Sequence, residues 1–156
     1  MQRPVINDFM LDLTVDVQVV IFGLGIDKSK HSTDSLNLLK KTVYDAEFFV
    51  VLDRKGKIKR QYEERIGGQD QWWFRQLVSM NKIIIVQTIS LKRLHRKIFV
   101  KVKEKSFIAK RGEDLKYVET AAKSKSNFLV TYDPHFHLNK QIIKQIPVHI
   151  KYCHEC

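Results

Sequence analysis

Three aspartates stand where an α/β chain gathers its chemistry. Asp16 follows an apolar, β-rich stretch from Phe9 to Val15. Asp133 follows a second such stretch, Phe128 to Tyr132, and Asp114 opens the helix that precedes it. Carboxylates that converge at strand ends repel one another unless cations lie between them. All-oxygen ligands of this kind suit Mg²⁺ or Mn²⁺, which keep several waters and bridge to phosphate. An ion so held makes hydroxide from water and stabilises the leaving oxygen of a phosphodiester. Aspartate also has an ordinary use at strand-to-loop turns, where it caps the backbone. Spacing by itself nominates a nuclease site and leaves the capping role open.

The elements that must position these acids alternate in type. After the first strand, Val17 to Leu24 reads as an apolar helix start. Ser32-Thr33-Asp34 reads as an N-cap for a helix running to about Tyr44, with Leu36, Leu39 and Val43 at helical spacing. Phe48 to Leu52 is a continuous apolar run, as expected of a strand buried on both faces. Asp53 to Gly56 turns the chain into a helical stripe of Ile58, Tyr62 and Ile66, which Gly67-Gly68 stops. Helix is expected over Gln71 to Met80, Glu113 to Lys123 (Leu115, Val118 and Ala122 inward) and Leu138 to Gln145. Ile83 to Val86 and Val148 to Tyr152 read as strands, and Leu91 to Ile108 as a basic, partly helical stretch. Strands separated by helices predict a three-layer α/β/α fold with a central, mostly parallel sheet. Functional residues in such sheets gather at the carboxyl ends of the strands, which is where Asp16 and Asp133 fall.

Composition sets the class. The chain of 156 residues is the size of one domain and can bury a core without disulfide or metal staples. We expect a single domain over 1–156, with 153–156 as a frayed tail. The two cysteines, Cys153 and Cys156, are no disulfide framework and suit a reducing, cytoplasmic setting. Asp8, Asp12 and Asp16 break any signal-peptide apolar region, and Val19 to Ile26 is too short to span a bilayer, so no membrane partner is expected. The formal net charge of +11 attracts polyanions, of which nucleic acid is the commonest inside a cell.

The stretch from Gly112 through Asp114 to Ala122, followed by Phe128-Leu129-Val130-Thr131-Tyr132-Asp133, resembles the carboxyl-terminal signature of PIN-domain ribonucleases. That signature is an Asp, an Ala-containing helix, a turn, and a strand ending in Thr-x-Asp. Thr14 to Val20 resembles the family's opening strand with Asp-x-Asn, and Val50 to Tyr62 its strand and turn leading into a Glu-Tyr helix. The resemblance implies a metal-dependent endoribonuclease with a toxin, defence or RNA-processing role. Asp16, Asp114 and Asp133 would bind Mg²⁺ or Mn²⁺, and Thr131 would orient the site. Its partners would be RNA, a cognate antitoxin or other protein, or a second copy as a homodimer. Two positions depart from the family: Gln61 stands for its Glu, and Gln18, beside the metal ligands, for its Asn. Glutamine hydrogen-bonds but adds no charge to hold a cation. Glu64, one turn beyond Gln61, is a substitute fourth acid, and Asp12 competes with Asp16 for the opening role. Asp16 is preferred because the run Val17 to Leu24 then forms the first helix. The alternative implied by Gln61 is a catalytically inactive PIN-like module that binds RNA or a protein.

Other features carry less. Lys92, Arg93, Arg96, Lys97, Lys101, Lys103 and Lys105 form a basic tract, and Lys55, Lys57, Lys59 and Arg60 a second; either can track a phosphate backbone or serve as a solvated face. Of Trp72 and Trp73, at least one is expected in the core. Cys153-His154-x-Cys156 is half a zinc site with no second pair in the chain. His135 and His137 flank the proposed cleft.

Overall fold

The structure, a computed structural model, describes residues 8–66, 71–90 and 115–156. Five strands, β1 (Leu11–Val15), β2 (Phe48–Asp53), β3 (Ile83–Val86), β4 (Phe128–Val130) and β5 (His149–Lys151), form one sheet in the order β3-β2-β1-β4-β5. Every described pairing is parallel, including Leu13 with Val50 and Leu13 with Phe128. Together with its helices the sheet makes the expected three-layer α/β/α fold. The chain runs outward from β1 to β3 on one side and resumes at β4 on the other. The order therefore reverses between β1 and β4, and a crevice opens beyond their carboxyl ends.

Helices α1 (Val17–Gly23), α2 (Ser32–Tyr44), α3 (Lys57–Ile66) and α4 (Trp72–Ser79) link the first three strands. Helix α5 (Leu115–Lys123) packs against β1, β2 and β4. All six residues of β2 are buried, as its unbroken apolar run predicts. Tyr62, Trp73, Leu77 and Phe136 are fully or almost fully buried, each such side chain stabilising by roughly 1.5–3 kcal/mol. Trp73 is the core tryptophan, and its indole donates to Thr42 Oγ1 at 2.9 Å. Gly23 permits close packing of α1 on α2: a Cβ there would lie 2.6 Å from Leu39 Cδ1 and 3.1 Å from the backbone of Ser35.

Several boundaries differ from expectation for local reasons. Helix α2 has His31, not Ser32, at its N-cap position; the Ser32 hydroxyl instead accepts from the Ser29 backbone at 3.1 Å. On α5 the fully buried alanine is Ala121, and Ala122 is only partly covered. The helix expected over Leu138 to Gln145 is two short ones, α6 (Pro134–Leu138) and α7 (Lys140–Ile143). Asn139 separates them; it is buried and donates its amide to the His135 carbonyl at 2.8 Å. Residues 153–156 are not frayed. Cys153–Glu155 form a 3-10 turn packed on α2, with Cys153 buried and Lys41 donating to the Cys156 carbonyl at 3.2 Å. Among the described residues, no helix is long and apolar enough to cross a membrane.

Candidate functional site

The strand ends at the topological reversal carry Asp16 and Asp133. Each is in extended backbone and caps the helix that follows. Asp16 accepts from the Gln18 N–H at 3.3 Å, and Asp133 from the His135 N–H at 2.9 Å. Pro134 at the first position of α6 gives up no needed donor there. Thr131, fully buried between them, ties the two together. Its hydroxyl donates to Asp16 Oδ2 at 2.8 Å and accepts from the Asp133 N–H at 3.0 Å. A further backbone bond, Asp16 N–H to the Val130 carbonyl at 3.0 Å, fixes β1 against β4 at this level.

Both aspartates line a cleft of about 460 Å³, together with Gln18, Gln61, Arg65 and His135. Gln61 reaches it because α3 buries the stripe Ile58, Tyr62 and Ile66. At about 100° per residue, Gln61 and Arg65 fall on one flank of Tyr62, whereas Glu64 lies about 160° round from it. Glu64 is accordingly exposed and absent from the cleft lining, so it does not supply the fourth acid there. Glu63 also faces solvent and pairs with Lys59 at 3.8 Å. The Gln61 side-chain oxygen accepts the Tyr117 hydroxyl, which in turn accepts from the Val17 N–H at 3.2 Å. That relay joins α3, α5 and α1. Beneath it, the Tyr62 hydroxyl donates to the Val15 carbonyl. Burial pushes the Tyr62 hydroxyl well above its ordinary 10.0, and the negative charges of Asp16 and then Asp53 push it further.

Asp12 takes no part. It is buried, and its two oxygens accept the Lys125 and Ser126 N–H groups at 2.9 and 2.7 Å. Asp114 and the tract Lys92, Arg93, Arg96, Lys97, Lys101, Lys103 and Lys105 lie outside the described residues. The second basic tract is exposed at Lys55, Lys57, Lys59 and Arg60. Among the described residues, no group of three or more His, Cys, Asp or Glu is placed to share a metal ion. Burial pushes both thiols up, that of Cys156 to about 12.

The carboxylates of Asp16 and Asp133 and the side-chain amides of Gln18 and Gln61 supply oxygen donors to the cleft, and His31 and His135 add ring nitrogens. Mg²⁺ is held by one or two protein carboxylates when waters and substrate phosphate complete its octahedron. Asp16 and Asp133 fit that requirement as a pair. Arg65, His31 and Tyr117 are parts of this region that sequence reasoning passed over. Arg65 was legible, since it sits one turn after Gln61 on the same flank of the helix. Compared with known proteins, the chain matches no family model and no curated protein.

Proposed function

We propose that this chain is a divalent-metal-dependent endoribonuclease of the PIN type, cleaving RNA at the cleft between β1 and β4. One observation carries the reading: Asp16 and Asp133 flank the topological reversal of a parallel sheet, joined through the Thr131 hydroxyl. Capping alone asks only that each aspartate meet its own helix; it does not ask that a buried hydroxyl orient one carboxylate and anchor the backbone of the other. In this reading Asp16 and Asp133 hold Mg²⁺ or Mn²⁺, with Asp114 as the third acid. The ion, when bound, supplies an activated water and neutralises charge on the phosphate. Thr131 fixes the Asp16 carboxylate, and Gln18 N–H steadies its other oxygen. Arg65, with its planar fork of donors, binds a non-bridging phosphate oxygen. The net charge of +11 draws the polyanion in. The two free cysteines suit a reducing cytoplasmic setting. Toxin, defence and RNA-processing roles all use this chemistry, the first with an antitoxin as partner and any of them as a homodimer.

The test is cleavage of a labelled single-stranded RNA by the purified chain. Cleavage should require Mn²⁺ or Mg²⁺, stop with EDTA, and be lost in Asp16→Asn and Asp133→Asn. Undiminished cleavage in both variants, or none by the parent with either ion, sinks the reading. The second reading, an inactive RNA-binding module, is favoured by a specific contact. The Gln61 oxygen is already engaged by Tyr117, so this position serves packing and adds no charge. Under that reading RNA binds in a salt-dependent way and is recovered intact.

A further inference from the structure

Beside the acidic cleft lies a second, larger groove of about 710 Å³. The two share His31, Tyr132 and Pro134. The wall of the second groove is built of rings brought from four separate parts of the chain. His31, before α2, stacks on Tyr132, after β4, with centroids 3.8 Å apart and planes 13° apart. His137 on α6 stacks on Tyr152, after β5, at 3.8 Å and 8°. The Tyr132 and Tyr152 rings are 5.7 Å apart, which joins the two pairs, and His154 lies parallel to Tyr152 at 5.6 Å. Lys30 and Lys140 also line the groove. His154 is exposed, and His31, Tyr132, His137 and Tyr152 are half-buried.

The wall is wired to the acidic site. The His137 Nε2 lies 2.8 Å from the Thr131 carbonyl. A carbonyl only accepts, so Nε2 carries the proton. Thr131 thus meets the groove-lining His137 through its carbonyl and orients Asp16 through its hydroxyl. The faces turned toward one another within each pair are covered, so a nucleobase meets the outer faces and edges of these part-exposed rings at little entropic cost, and neighbouring ammonium groups track a phosphate backbone. Bases in a duplex are already stacked and hidden, so such a wall reads unpaired nucleotides.

We propose that this groove is a stacking track for single-stranded RNA, seating unpaired bases immediately beside the phosphate held in the acidic cleft. The proposal rests on the ribonuclease reading for the identity of its ligand, and it is tested separately from cleavage. The full chain carrying Asp16→Asn, in EDTA, is titrated against a fluorescein-labelled single-stranded RNA, the same RNA annealed to its complement, and a version with abasic positions. The single strand should bind about tenfold more tightly than either of the others, a ratio within the range for stacking one base. Tyr152→Leu and His154→Ala should each weaken single-strand binding by about tenfold. Tyr152→Trp should restore it, which a merely structural role for Tyr152 would not allow. Circular dichroism and thermal melting confirm that each variant is folded. Equal affinity for single strand, duplex and abasic RNA overturns the proposal, as does unchanged affinity in folded Tyr152→Leu and His154→Ala. If those variants bind normally while Asp16→Asn abolishes cleavage in Mn²⁺, the track fails and the nuclease reading stands. If the parent never cleaves but the variants lose single-strand binding, the nuclease reading fails and the track stands.

Discussion

Four aspartates lie along this sheet, and they divide into two pairs that differ in what they serve. Asp12 and Asp53 are consumed by backbone. Asp12 holds the Lys125 and Ser126 N–H groups, and Asp53 holds those of Lys57 and Ile58 at 3.0 and 2.9 Å, pinning the start of α3. Asp16 and Asp133 also cap helices, but they line a common cleft and share Thr131. Residue type and burial do not separate the pairs: Asp12, Asp16 and Asp53 are all below one-tenth exposed. Position does. Asp16 and Asp133 stand where the strand order reverses and neighbouring connections diverge, so space remains between them. Asp53 ends β2, inside the run of consecutive strands, and Asp12 lies within β1.

The largest effects should follow that division. Asp16→Asn and Asp133→Asn should cut cleavage by at least about a hundredfold, more than loss of an outer-shell partner costs a metal site, and should barely move the melting temperature. Asp12→Ala and Asp53→Ala should do the reverse. Each strands two backbone donors and should cost about 2 kcal/mol in urea unfolding, while cleavage per folded molecule stays at the parent level. If Asp12→Ala removes activity from folded protein, or Asp16→Asn destabilises as much as Asp12→Ala, the division is wrong.

Gln61→Glu sharpens the comparison by adding a charge on the cleft side only. A carboxylate still accepts the Tyr117 hydroxyl, so the relay to Val17 survives. Mn²⁺ should bind about tenfold more tightly, a difference of about 1.4 kcal/mol. Unchanged Mn²⁺ affinity would mean that position 61 serves packing alone.

A smaller effect is expected at Tyr62. Tyr62→Phe removes the bond to the Val15 carbonyl and should cost about 1 kcal/mol. Because the folded hydroxyl titrates well above 10.0, the parent binds this proton more tightly than its unfolded chain does. Its contribution is complete below pH 10 and is lost as pH rises above that value. The variant should therefore lose less stability than the parent between neutral and strongly alkaline pH, and parallel stability curves would contradict this account.

Much of this was legible in the residues. The unbroken run Phe48 to Leu52 announced a strand covered on both faces, and the alternation of strand and helix announced the layered fold. That Asp16 and Asp133 line one cleft was legible because a rule about strand ends needs only the order of elements. The preference for Asp16 over Asp12 was legible in the apolar helix run that follows Asp16, but the partners that occupy Asp12 were not, since they are more than one hundred residues away in sequence. The same holds for Tyr117: helical spacing indicates burial, not that a phenol will bridge Val17 and Gln61. The ring wall has the same origin, with His31 and Tyr132 meeting only through the sheet. By contrast, the helix start at Asp133-Pro134 was present as an N-cap followed by proline and was overlooked in favour of an apolar stripe further on.

The most direct test of the central claim is calorimetric titration of Mn²⁺ into the parent chain and into Asp16→Asn under the same conditions. The account predicts saturable heat of binding in the parent and its loss in Asp16→Asn, with both proteins folded. Equal binding in the two, or no binding in the parent, would contradict it.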